Sequence, residues 1–163
     1  MSPETSYLIA ATSKGSLHQL PLDVTKWSNS HNSNVNAHSA PVHKALTDPS
    51  SPQTLFTCSD DATVKVWDLR ADLRNPIHIL QNSRNLPFFS MDVRHGLVSA
   101  GSQLKGTDSE LVLWDTRKLN TPLRSFIDSH NDDITDTKFH PTRKNLLLSG
   151  ATEGYVNIYD LNI

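Results

Sequence analysis

The sequence predicts an all-β fold: a partial β-propeller of about four blades in an open arc, two complete and two incomplete. Three observations carry that reading. A strand–turn–strand pattern closing on an aromatic residue and an acid runs from Thr57 to Asp68 and recurs from Leu147 to Asp160. Its second half recurs from Ser109 to Asp115, and a weaker copy runs from Ser13 to Leu20. The aligned positions Leu20, Trp67, Trp114 and Tyr159 are 47, 47 and 45 residues apart, and a fixed period near that length, four strands to a blade, is a propeller signature. Finer positions also stay in register. His38 and His130 each precede the aromatic of their repeat by 29 residues, Thr57 and Ser149 by ten, and Asp61 and Glu153 by six.

Taken in order, the period divides the chain into approximate blades 1–37, 38–82, 83–129 and 130–163. In the first, Tyr7 to Thr12 and Leu17 to Leu20 alternate as strands around a Ser13–Ser16 turn. No room is left upstream for an innermost strand. Val24 to Trp27 reads as the outer strand, and the Ser/Asn/His-rich stretch 28–39 as a mobile loop. The second blade has strands at Val42 to Leu46, Thr54 to Cys58, Thr63 to Trp67 and near Ile77 to Leu80, with a turn cluster at Asp48–Pro52. The third uses Phe88 to Val93, Leu97 to Ala100, Leu111 to Trp114 and Leu123 to Ile127, with an insertion at roughly Ser102 to Thr107. The fourth uses Ile134 to Phe139, Leu146 to Ser149 and Tyr155 to Tyr159, with a turn at Pro141–Lys144 and no outer strand. Such an arc leaves an apolar face at each end, which points to self-association through the open ends or to a part of a longer propeller.

Composition limits the function classes. A net charge of −2, from 15 basic and 17 acidic residues, has no long run of either sign, so nucleic acid and anionic membrane are not expected partners. The single cysteine, Cys58, excludes an intrachain disulfide and suits a reducing compartment. No apolar run approaches the ~20 residues that span a bilayer, and the N-terminus has no signal-peptide apolar region. An intracellular protein of the cytoplasm or nucleus, without cofactor or metal, is the expectation.

The recurrent polar residues form a structural network. A buried indole N–H needs an acceptor, which a hydroxyl on the neighbouring strand supplies. That hydroxyl donates to a histidine nitrogen, and the histidine N–H meets a carboxylate in the tight turn. The second blade holds the full set as Trp67, Thr57, His38 and Asp61. The fourth has His130, Ser149 and Glu153, with Tyr159 in place of tryptophan. The third keeps Ser99, Asp108 and Trp114 without a histidine. The rival reading is a Ser/His/Asp hydrolase, but no Gly-x-Ser-x-Gly elbow, His-Glu-x-x-His or cysteine pair occurs. Asp132, Asp133 and Asp136 suggest a cation site only weakly, because strand alternation sets Asp133 on the face opposite the other two.

These residues resemble the WD-repeat β-propeller family. The resemblance rests on Ser129 to Asp136, Phe139-His140-Pro141, Leu148-Ser149-Gly150, Gly154 to Asp160, and Ala100-Gly101-Ser102 before Leu113-Trp114-Asp115, and covers about residues 40–161. It implies a non-catalytic scaffold that binds other proteins, and a seven-bladed closed ring that 163 residues cannot complete. Trp67-Asp68-Leu69-Arg70 and Trp114-Asp115-Thr116-Arg117 further resemble the Trp-Asp-x-Arg motif of WD-type substrate receptors. That resemblance implies a cullin–RING ligase adaptor as partner, engaged through Arg70 and Arg117. The alternative for both arginines is an exposed turn residue paired with a nearby carboxylate. Loops on rigid scaffolds carry binding, so Leu104, Lys105 and Gly106 in the insertion, with Asn131 and Asp132 before the fourth blade, are the candidate partner-binding residues.

Overall fold

The computed structural model describes residues 7–22, 33–71, 73–103 and 109–162, and every regular element among them is a β-strand. Four antiparallel sheets follow one another along the chain and do not close into a ring. The first contains β1 (Tyr7–Ala11), β2 (Ser16–Pro21) and β3 (Ser33–Asn36). The second contains β4 (Val42–Asp48), β5 (Ser51–Ser59), β6 (Thr63–Asp68) and β7 (His78–Gln81). The third is β8 (Phe88–Arg94), β9 (Leu97–Ser102), β10 (Glu110–Asp115) and β11 (Arg124–Ile127). The last is β12 (Ile134–Phe139), β13 (Leu146–Ala151) and β14 (Val156–Asp160). Within each sheet the strands pair in sequence order, as short turns between antiparallel neighbours require.

The core lies between sheets rather than inside any one of them. Successive residues of a strand point to opposite faces, and β6 uses both. Val64 and Val66 face the third sheet and pack with Phe88, Met91, Val98 and Trp114. Trp67 faces back toward the first, with Leu17, Ala37 and Leu55. The third interface places Leu111 and Leu113 against Ile134, Phe139 and Leu147. Each buried side chain of this size contributes about 1.5–3 kcal/mol, so a blade draws much of its stability from the neighbours packed on its faces.

Two local devices repeat. Each of β4, β8 and β12 carries a register shift near its start, between Val42 and Lys44, Phe88 and Ser90, and Ile134 and Asp136. The extra residue of such a bulge turns the strand and re-aims its neighbours. The turn between the second and third strands needs one left-handed residue, filled by Gly15 (φ 81°), Ala62 (φ 65°) and Gly154 (φ 88°).

The first blade departs from expectation. Its outer strand is β3, inside the stretch 28–39 read as a loop, while Val24 to Trp27 lies outside the described residues. Asn34 and Val35 reach strand geometry because β2 offers them a free edge: Leu17 pairs with Val35 and His18 with Asn34. Polar composition hid that strand. Likewise β5 begins at Ser51 and runs through Pro52, inside the expected turn cluster. Leu104, Lys105, Gly106 and Asp108 lie outside the described residues.

Candidate functional site

In the second blade the four spaced residues meet. Trp67 Nε1 donates to Thr57 Oγ1 at 2.9 Å. Thr57 Oγ1 and His38 Nε2 are 2.7 Å apart, and His38 Nδ1 is 2.8 Å from Asp61 Oδ2. With a neutral ring, Nδ1–H donates to the carboxylate and Nε2 accepts from the hydroxyl. Asp61 also accepts from Ser39 N, Thr63 N and the Thr63 hydroxyl, the last at 2.6 Å. Burial pushes the Asp61 carboxyl up. The hydrogen bonds from His38 and Thr63 outweigh it, holding the group well below the ordinary carboxylate range.

The fourth blade builds the same chain from different residues. His130 Nδ1 lies 2.7 Å from Glu153 Oε1, and His130 Nε2 lies 2.7 Å from Ser149 Oγ. Tyr159 OH stands 3.2 Å from that hydroxyl. The longer glutamate still reaches the ring, and its second oxygen accepts from Asn131 N at 3.0 Å. A further member was not legible in the spacing. Lys65 Nζ donates to Ala37 O at 2.6 Å, and Asn157 Nδ2 donates to Ser129 O. In each blade the residue two before the aromatic therefore ties down the carbonyl before the histidine. Lys and Asn share no obvious chemistry, and only the shared geometry relates them.

The third blade corrects the placement of Ser99. Thr57 pairs with Lys65, two residues before the tryptophan, and Ser149 with Asn157. The equivalent residue opposite Val112 is Ala100, whereas Ser99 pairs with Leu113. A one-residue offset turns the side chain to the other face of the strand. Ser99 Oγ accordingly lies 3.1 Å from Thr137 Oγ1 of the next blade, and not in the tryptophan's network. Trp114 is buried edge-on to Phe88, with centroids 6.0 Å apart.

Hydroxyl, imidazole and carboxylate in line have the connectivity of a hydrolytic triad. The setting does not suit that chemistry. Thr57 and Ser149 are buried, each hydroxyl is engaged by the aromatic residue behind it, and neither lines a described cavity. A nucleophile needs open space for a reacting carbonyl. Burial also pushes the Cys58 thiol up to about 12, so it is a packing group rather than a reactive one. Among the described residues no three metal-ligating side chains converge, and Asp136 Oδ1 lies 3.6 Å from Lys44 Nζ.

Arg70 and Arg117 sit in identical exposed turns. Arg70 Nε and Nη2 donate to the two oxygens of Asp68 at 2.9 and 2.7 Å, and Arg117 does the same to Asp115 at 2.9 and 2.6 Å. These forks and the backbone N–H of each arginine lower both carboxyls to about 2. Arg70 and Arg117 side chains are 72% and 85% exposed, so each pair stabilises little.

Asn131 and Asp132 lie on the opposite rim, in the loop held from below by His130. Asp132 Oδ1 accepts from Asp133 N at 2.8 Å. Hydrogen bonds from the Thr152 side chain and from Asp133 N lower its carboxyl. The loop backbone is fixed while Asn131 faces solvent, as a presented surface requires.

Comparison with known proteins agrees with this architecture. The family model described as "WD domain, G-beta repeat" matches residues 27–68 and 120–160. A WD repeat-containing protein of Saccharomyces cerevisiae is 52% identical over 114 residues, covering 70% of this chain and 28% of the relative. The WD repeat-containing protein 89 homolog of Dictyostelium discoideum is 34% identical over 110 residues, 66% of this chain and 27% of its own. The chain thus spans less than a third of the length of these relatives. The crystal structure of the computationally designed Ika4 protein superposes with a TM-score of 0.71 at 18% identity, covering 95% of this chain and 85% of the design. That likeness concerns the fold alone. With two matched repeats, four successive antiparallel sheets and the His–hydroxyl–aromatic chain in two of them, the protein belongs to the WD-repeat family of β-propellers.

Proposed function

We propose that this chain serves as a protein-interaction scaffold without catalytic activity, and that the loop before the fourth blade is part of its partner surface. The observation that carries the reading is the division of labour around His130. The buried ring, Ser149 and Glu153 hold the loop, while Asn131 and Asp132 stand at its surface. A rigid base under exposed polar side chains favours binding, because little ordering entropy remains to be lost on association. Self-association through the open end of the arc is a second contact of this kind, supported by the apolar face of β14. The ligase-adaptor reading draws no support from the geometry, since each arginine fork is already occupied by its own aspartate.

The test is quantitative affinity capture from native cells with the wild-type chain and an Asn131→Ala/Asp132→Ala variant. Specific partners should be depleted from the variant at unchanged thermal stability. An unchanged partner set would overturn this placement. Recovery of a cullin–RING adaptor, lost on Arg70→Ala/Arg117→Ala, would replace it with the receptor reading.

A further inference from the structure

The two rims of the arc carry opposite charge, which the small net charge conceals. In an antiparallel blade the first and third connections emerge at one end, and the second connection joins the inter-blade link at the other. Among the described residues the latter rim holds Asp60, Asp61, Asp128, Asp132, Asp133 and Glu153 against Lys14 and Arg84. The former holds Arg94, Arg143 and Lys144 in its tight turns. Its longer connections add Arg70, Arg74, Arg117 and Lys118, against Asp48, Asp68, Asp115 and Asp160. Asp68 and Asp115 are each closed by an arginine fork.

On the basic rim the second, third and fourth blades enclose a cleft of about 740 Å³. Arg94 and Lys144 supply its cations, Arg117 is forked onto Asp115, and Pro49 and Leu97 form its apolar lining. Arg94 is anchored by one bond from Nη1 to Pro141 O at 3.1 Å, and no described carboxylate lies within ion-pair distance of it or of Lys144. We propose that this cleft is a binding site for an extended peptide whose acidic side chains are spaced by apolar ones. Two features favour a peptide over a nucleic acid. Asp48 and Asp115 sit among the cations, which repels a phosphate at every step but tolerates carboxylates at intervals. The lining also has no Phe, Tyr or Trp on which bases could stack. The site lies on the rim opposite Asn131 and Asp132, and stands or falls separately from them.

The test is fluorescence anisotropy with the full chain and a labelled peptide of about twelve residues in which Glu alternates with Leu and Ser. The Glu peptide should bind, weaken steeply with salt, and lose about tenfold in affinity on Arg94→Glu/Lys144→Glu. Asn131→Ala/Asp132→Ala should leave this binding unchanged, and a Lys-substituted peptide should not bind. Because Arg94 also bridges two blades, the exposed Lys144→Glu alone, checked by circular dichroism, provides a second variant with a smaller loss in the same direction. No binding of the Glu peptide, equal binding by both variants, or tighter binding of a uridine oligomer of equal charge would each overturn the proposal.

Discussion

His38 and Asp61 show how much a single buried pair decides. Replacing His38 with alanine leaves Thr57 and Asp61 without their shared partner in a closed site. The expected loss is about 1–3 kcal/mol in an equilibrium denaturation; an unchanged midpoint would remove the network's structural role. The same pair sets a pH response. The Asp61 carboxyl is held below its ordinary value in the folded state, so the unfolded chain takes up the proton first. Its contribution is complete above the unfolded pKa and is lost as pH falls toward the folded one. Thermal melts should therefore fall below about pH 4, and Asp61→Asn should flatten that segment of the profile while lowering stability at neutral pH. Both predictions rest on residues whose spacing is visible in the sequence. Lys65 and Asn157 were not visible, because two unrelated side chains perform one task, and Ser99 was misplaced, because the insertion between the second and third strands hides strand register.

At the level of the element, equivalent positions differ only in what faces them. Gly101 and Gly150 each pair with the third-strand residue three before the aromatic, Leu111 and Val156. A Cβ at Gly101 would meet Ile134 Cγ2 and Ser90 Oγ at once, whereas one at Gly150 meets nothing within 4 Å. Gly101→Ala should cost about 1–3 kcal/mol through overpacking. Gly150→Ala should be neutral or stabilise by up to about 1 kcal/mol, as loss of glycine from a strand interior allows. Chemical denaturation of the two variants side by side is the check; equal effects would mean that both glycines serve the backbone and not the interface. The contrast comes from β12, which covers Gly101, and from the absence of any described strand over Gly150.

Among the described residues, the four blades form three buried interfaces and leave two ends, of which the fourth blade's is the more apolar. Val64, Val66, Leu111 and Leu113 are buried under the following blade, while their counterparts Val156 and Ile158 are 65% and 70% exposed. Leu113→Ala should cost about 2–5 kcal/mol, and Ile158→Glu should move stability by less than about 0.5 kcal/mol. If the end face associates, light scattering of the wild-type chain should show mass rising with concentration, and Ile158→Glu should abolish that rise. A concentration-independent monomer would remove self-association from the proposed contacts.

The sequence by itself determined the class of fold, the number and order of the blades and the chain from His38 to Trp67. Each of these is written as a period, and a period survives without knowledge of neighbours. Only the tertiary structure decided that β3 forms from polar residues, that Ser99 turns toward Thr137, and that Glu153 and Tyr159 complete a second network. It alone gathered bases onto one rim and acids onto the other. Those outcomes depend on register, on reach and on which strand lies alongside, quantities that arise between segments and are not encoded at any single position.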